Sequence, residues 1–188
     1  KFMFNINLLS LKRAIGTIAL LLVAGFASAS LAQTADNLQP DLPAPTCDAI
    51  SVPKGHKLAF RTYARGVQIY RWDGDSWEFV APRADLFVIS KFRPTVVGIH
   101  HGGPIWESAT GSKVLGFRVA GCTPDPTAIS WLLLKGASTK TPGIFNGVTY
   151  IQRVNTVGGL APAAPGTFAD EIAEVPYTTE YYFYRADN

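Results

Sequence analysis

The chain has 188 residues, enough for one hydrophobic core of ordinary size. It carries 17 basic and 14 acidic residues, a net charge of +3, and no block of five or more like charges, which argues against a nucleic-acid partner. Lys1, Lys12 and Arg13 account for the whole basic excess, so the remainder is balanced at 14 against 14 and its partners cannot be read from net charge.

Residues 1–32 read as a signal peptide. Lys12-Arg13 precede the apolar run "AIGTIALLLVAGF", Ala14 to Phe26, and small residues "ASASLAQ" follow. A charged start, a short apolar segment and a small-x-small site form the pattern of a cleaved export signal. The run is short of the roughly 20 apolar residues a membrane span needs. Cleavage is expected after Ala32, with Ala29 as the second choice, giving a secreted or periplasmic protein that does not span the membrane in its mature form. Cys47 and Cys122 follow, an even count that in an exported chain predicts one disulfide. Closing so long a loop stabilises by about 4 kcal/mol on chain-entropy grounds.

Residues 33–53, "QTADNLQPDLPAPTCDAISVP", are rich in Pro, Asp and Ala and read as an extended arm. A single domain is expected over 54–188. Its runs "KLAFRTYA", "GVQIYRW", "SWEFV", "ADLFVI", "TVVGIHH", "KVLGFRVA", "SWLLLKGAS", "VTYIQRVNT" and "EYYFYRA" are rich in β-branched and aromatic residues and are punctuated by Gly and Pro. No long window has a helical apolar period; only "PTAIS" and "FADEIAEV" suit a short helical turn. Eight to ten short strands predict an all-β fold, an antiparallel β-sandwich or barrel-like single domain with little helix outside the signal peptide.

In "RWDGDSWEF", Asp73-Gly74 marks a hairpin across which Trp72 and Trp77 would meet. Asp73 and Asp75 lack the downstream glutamate that a calcium loop requires. At an offset of 29 residues "VQIYRWDGDSWE" lies over "VVGIHHGGPIWE", with Trp77-Glu78 meeting Trp106-Glu107, so the second stretch reads as a similar hairpin.

That second stretch, "VGIHHGGPIWES", holds two of the three histidines. Neighbouring residues on a strand face opposite ways, so His100 and His101 cannot share one ion. With Gly102-Gly103 as a two-residue turn, His100 falls on a face with Ile105 and Glu107, and His101 with Ile99 and Trp106. That arrangement is too poor in ligands for a catalytic zinc, and neither metal nor cofactor is expected. His100 and Glu107 could serve as an acid/base pair in a small hydrolase, though the hydroxyls of Ser108 and Ser112 lie in no nucleophile elbow. "VGGLAPAAPG" is no dinucleotide motif, because it opens no helix. In "VTYIQRVNT", Arg153 could meet an anion; a carboxylate partner in the protein is the expectation. Tyr70, Trp72, Trp77 and Trp106, with the "YYFY" of 181–184, are candidates for ligand binding. Most of these rings are expected to fill the core, where aromatics usually go; any left exposed on the sheet would stack on sugars, with an extracellular polysaccharide as the partner.

"KLAFRTYARGVQIYRW", "WEFVAPRADL", "GPIWESATGSKVLG", "TPDPTAISWLLLK", "VTYIQRVNTVGGLAP" and "VPYTTEYYFYR" together resemble an uncharacterised family of exported bacterial and fungal proteins, domain of unknown function 3455. The likeness runs from Lys54 to Arg185. It implies a secreted single-domain protein and supplies no catalytic residues. The expected role is a non-catalytic surface or extracellular binding module, with the hydrolase built on His100 and Glu107 as the alternative.

Overall fold

A computed structural model describes residues 39–90 and 92–187; the signal peptide expected over 1–32 lies outside the described residues. Eight strands follow in chain order: β1 (His56–Trp72), β2 (Trp77–Ser90), β3 (Arg93–His101), β4 (Ile105–Ser108), β5 (Lys113–Cys122), β6 (Trp131–Ser138), β7 (Val148–Gly158) and β8 (Ile172–Ala186). Each is antiparallel to the next, and β1 pairs with β8 to close the sheet into an up-and-down barrel. Of the two architectures compatible with the sequence, closure selects the barrel, which leaves no unpaired sheet edge. The only helical element among the described residues is a 3-10 turn at Asp48–Ile50. "PTAIS" is a turn, and "FADEIAEV" runs from a turn into β8.

Two pairs of the expected short strands are fused. "KLAFRTYA" and "GVQIYRW" form one strand through Gly66, where β1 and β2 approach so closely that a Cβ would lie 2.0 Å from the Arg83 carbonyl oxygen. "SWEFV" and "ADLFVI" join through Pro82. Proline lacks an N–H for the ladder and is tolerated where a strand lacks a neighbour on one side. Pro82 and Pro176 both meet this condition: β3 pairs with β2 only over Ala84–Ser90, and β7 pairs with β8 only from Tyr177 onward.

Alternation along the strands divides the apolar residues into two clusters. Inside the barrel lie Ala64, Leu86, Trp106, Val114, Leu134, Ile151, Tyr177, Tyr181 and Phe183. Outside it, Trp131, Leu133, Val154, Tyr182 and Tyr184 form an apolar patch on β6, β7 and β8. This division accounts for "YYFY": Tyr181 and Phe183 face in, Tyr182 and Tyr184 face out, and all four are buried.

The outer patch is covered by the arm. Leu42, Cys47, Ile50 and Val52 pack on it, and Gln152 Nε2 donates to the Ile50 carbonyl at 2.8 Å. The Tyr184 hydroxyl meets Gln39 Oε1 at 2.7 Å and also Gln152. Cys47 and Cys122 are joined, 75 positions apart in sequence. The expected boundary near Lys54 therefore moves: from Gln39 onward the arm is part of the packed unit, because β6 to β8 present apolar side chains on both faces and the outer face must be covered. Among the described residues no helix is long and apolar enough to cross a membrane. The disulfide is compatible with an oxidising extracellular or periplasmic compartment.

Candidate functional site

The connections 73–76, 102–104, 123–130 and 159–171 all lie at one end of the barrel, because strands alternate in direction. Aromatic side chains anchor the longest of them. Tyr70 Oη donates to the Gly159 carbonyl at 2.7 Å and Trp77 Nε1 to the Ala164 carbonyl at 2.9 Å. The Trp72 backbone exchanges hydrogen bonds with Asp170 and Glu171. Trp72 and Trp77 meet edge to face, ring centroids 5.4 Å apart.

These contacts leave no exposed row of the candidate rings on which a sugar could stack. Tyr70, Trp72 and Trp106 are only 8%, 9% and 1% exposed, and Trp77 is half-buried. The rings are spent on a loop and a core rather than displayed on a face. Their alternation was legible in the sequence; the 159–171 loop folded over them was not.

The hairpin between β3 and β4 also differs from expectation. Its turn has three residues, Gly102-Gly103-Pro104, with Gly103 at φ +90°. Glycine populates that region freely, and Pro104 has no N–H with which to extend the ladder. One extra residue inverts the faces of everything beyond the turn. His100 is opposite Trp106, His101 opposite Ile105, and Ile99 opposite Glu107. The His100/Glu107 pair does not form: His100 and Trp106 face inward, while Glu107 faces outward beside His101 and Lys113. The 29-residue likeness fails at the same point, since the 73–76 connection is one residue longer.

On the outside, His101 Nε2 lies 3.3 Å and Lys113 Nζ 3.0 Å from Glu107 Oε2. The Lys113 ammonium, helped by His101, holds the Glu107 carboxyl below the usual carboxylate range. On the inside, His100 is 3% exposed and stacks on Trp106, ring centroids 4.2 Å apart. Its Nδ1–H donates to the Ile105 carbonyl at 2.9 Å. Burial pushes its pKa down to about 3, so the ring is neutral at pH 7. Among the described residues no three His, Cys, Asp or Glu side chains gather as a metal site would require.

The inward faces at this end enclose a cavity of about 220 Å³ to which every strand contributes a side chain. Gln68 comes from β1, Pro82 from β2, His100 from β3, Trp106 from β4, Arg118 from β5, Leu132 and Leu134 from β6, Arg153 from β7 and Tyr181 from β8. Its wall runs from the fully buried Trp106 and Tyr181 to the exposed Phe79, Val80, Gly103 and Pro104, so the cavity leads out between the first two hairpins. A bulge past Arg118 lets that residue face inward with Gly116 while Ala120 and Cys122 turn out to the arm.

The cavity is apolar in its walls and polar at particular points. Among the described residues no aspartate or glutamate lines it. Arg153 is half-buried and, contrary to the expected carboxylate pairing, donates from Nε and Nη2 to the Ser130 carbonyl at 3.1 and 2.7 Å. Burial raises the pKa of Tyr181, and the Arg153 cation beside it works against the rise. Tyr177 and Gln68 are neighbours of the same group. Gln68, Tyr177, Tyr181 and Arg153 form a chain of close polar contacts, yet Gln68 Nε2, Trp106 Nε1 and the Tyr177 and Tyr181 hydroxyls are buried with no well-aligned hydrogen-bond partner in the protein. Buried polar groups are nearly always paired, so four in one neighbourhood require an explanation. Gln68 and Tyr177 were not singled out from the sequence, and Tyr181 only within the "YYFY" run considered for stacking on a ligand. The only available signal was a polar side chain at an inward position of β1, and which side is inward is decided by barrel closure.

The family model for a protein of unknown function, DUF3455, matches residues 53–185, and the chain belongs to that family. No curated protein and no solved structure matches it.

Proposed function

We propose that this DUF3455 domain is a binding protein that holds a small molecule inside the loop end of its barrel. The observation that carries this reading is the cavity, enclosed by all eight strands and continuous with an exposed apolar rim. Eight-stranded barrels are just wide enough to be filled by side chains or to hold one small ligand. Here the lack of a side chain at Gly116 admits the Trp106 indole, and the cavity is the space left beside that ring and His100. A site of mostly apolar walls with a few convergent polar groups is the usual form of a small-molecule pocket. A cavity of roughly 150 Å³ accepts benzene, so this one suits a ligand of about ten non-hydrogen atoms.

Calorimetric titration with indole and benzyl alcohol tests the reading. The native domain is expected to bind saturably, with a change in Trp106 fluorescence. Leu132→Trp, which fills the cavity from β6, is expected to abolish binding while the barrel still unfolds cooperatively. Failure of the native domain to bind either probe, or equal binding by Leu132→Trp, would overturn it. Binding of an oligosaccharide that survives Leu132→Trp would favour an outer surface instead. We also read the domain as exported, on the strength of the leader-like residues 1–32 and the Cys47–Cys122 pair. N-terminal sequencing of the mature protein is expected to find Gln33 first.

A further inference from the structure

We infer that the ligand is a compact anion joined to an apolar body, its charged group held by Arg153 among the donors at the floor of the cavity. The inference rests on the cavity-binding reading and adds the ligand's chemical class. Its starting point is the direction of the unsatisfied hydrogen bonds. Trp106 Nε1 can only donate, and so can the Gln68 amide nitrogen. Tyr181 adds a hydroxyl beside Arg153 and Tyr177 that has no well-aligned partner. Arg153 spends two of its nitrogens on one backbone carbonyl, and no carboxylate pairs with it among the described residues. The site offers donors and lacks acceptors of matching strength.

Charge points the same way. Two arginines, the half-buried Arg153 and the exposed Arg118, line the cavity, and among the described residues no acidic side chain does. A buried or half-buried cation without a counter-charge is costly unless something supplies one. Guanidinium is the group best suited to do so through paired N–H donors on a carboxylate or phosphate. The rest of the wall, Trp106, Leu132 and Leu134, suits a flat or short aliphatic remainder. A neutral sugar, with its many hydroxyls, would find few acceptors there.

The test compares 3-phenylpropanoate with its primary amide, which has the same size and shape but no charge. The native domain is expected to bind the acid about ten- to a hundredfold more tightly than the amide, the range of one to two charge-assisted hydrogen bonds. Arg153→Gln is expected to erase the difference between acid and amide, and cooperative urea unfolding of the variant checks that it is folded. Arg153→Lys, the control should Arg153→Gln fail to fold, is expected to retain part of the preference. Equal binding of acid and amide by the native domain would sink the anion assignment but leave the cavity reading standing, as would an acid preference that survives Arg153→Gln. If neither probe binds, and indole does not either, the donors serve only bound water and both readings fall.

Discussion

His100 lies flat on Trp106, with the two ring planes 11° apart, and the edge of Tyr181 closes on both rings at 5.3 and 5.2 Å. This packing is possible because His100 is neutral. A charged imidazolium in the same place would lose its hydration and face the Arg153 cation. The consequence is a dependence of folding on pH. The ring's pKa is about 3 when folded and near 6.5 when unfolded, so the unfolded chain takes up a proton first as pH falls. The histidine's contribution is complete above pH 6.5 and is lost progressively below it. Between pH 7 and pH 5 this one group is expected to cost about 2 kcal/mol. Urea unfolding at the two values, in the native domain and in His100→Phe, should show that difference only in the native domain. Similar slopes in both would refute the assignment.

Removing the Cys47–Cys122 link should act on the arm before the barrel. The pair Cys47→Ser/Cys122→Ser is expected to lose about 4 kcal/mol of stability, the chain-entropy worth of a loop this long. Brief proteolysis of the variant should cut within residues 39–52 and spare β1 to β8. Cleavage that begins in the 159–171 loop would show that the arm is held by its apolar contacts alone.

Gly116 sits against the indole of Trp106. A Cβ at this position would be 2.7 Å from Trp106 Cζ3 and 3.1 Å from Leu134 Cδ2. Overpacking a core of this kind costs about 1–3 kcal/mol, so Gly116→Ala should lower the unfolding midpoint and change the near-ultraviolet circular dichroism of the buried tryptophan. A variant with native stability and an unchanged spectrum would mean that the indole is loosely held.

Glu107 offers a contrast. Its contacts with His101 and Lys113 are on the outer surface, where ion pairs contribute little. Glu107→Gln is expected to leave both the unfolding midpoint and indole binding where they were. Loss of binding would place Glu107 in communication with the interior and restore interest in a His/Glu site.

How far the sequence could be read depended on what each property needed. Strand content was legible because β-branched and aromatic runs carry it locally, and the disulfide followed from two cysteines in a chain with a leader-like start. Face assignment was legible up to the first irregular turn. Counting Gly102-Gly103 as the whole turn, rather than Gly102-Gly103-Pro104, put Glu107 with His100 when it belongs with His101. The burial of Tyr70 and Trp72 depended on the 159–171 loop, which is distant in sequence. Arg153 was noticed, but its surroundings were not, since Gln68, Trp106 and Tyr181 come from three other strands and meet it only when β1 closes on β8.

The arm has one more effect. It doubles the wall along β6, β7 and β8 and leaves β2, β3 and β4 as a single layer. The barrel is thus stiffened on one flank, the flank that carries Arg153 and Tyr181, while the mouth opens beside Phe79, Val80 and Pro104 on the thinner one. On the binding reading proposed above, backbone amides of the rim around Phe79, Val80 and Pro104 are therefore expected to exchange faster than those of β7 and β8.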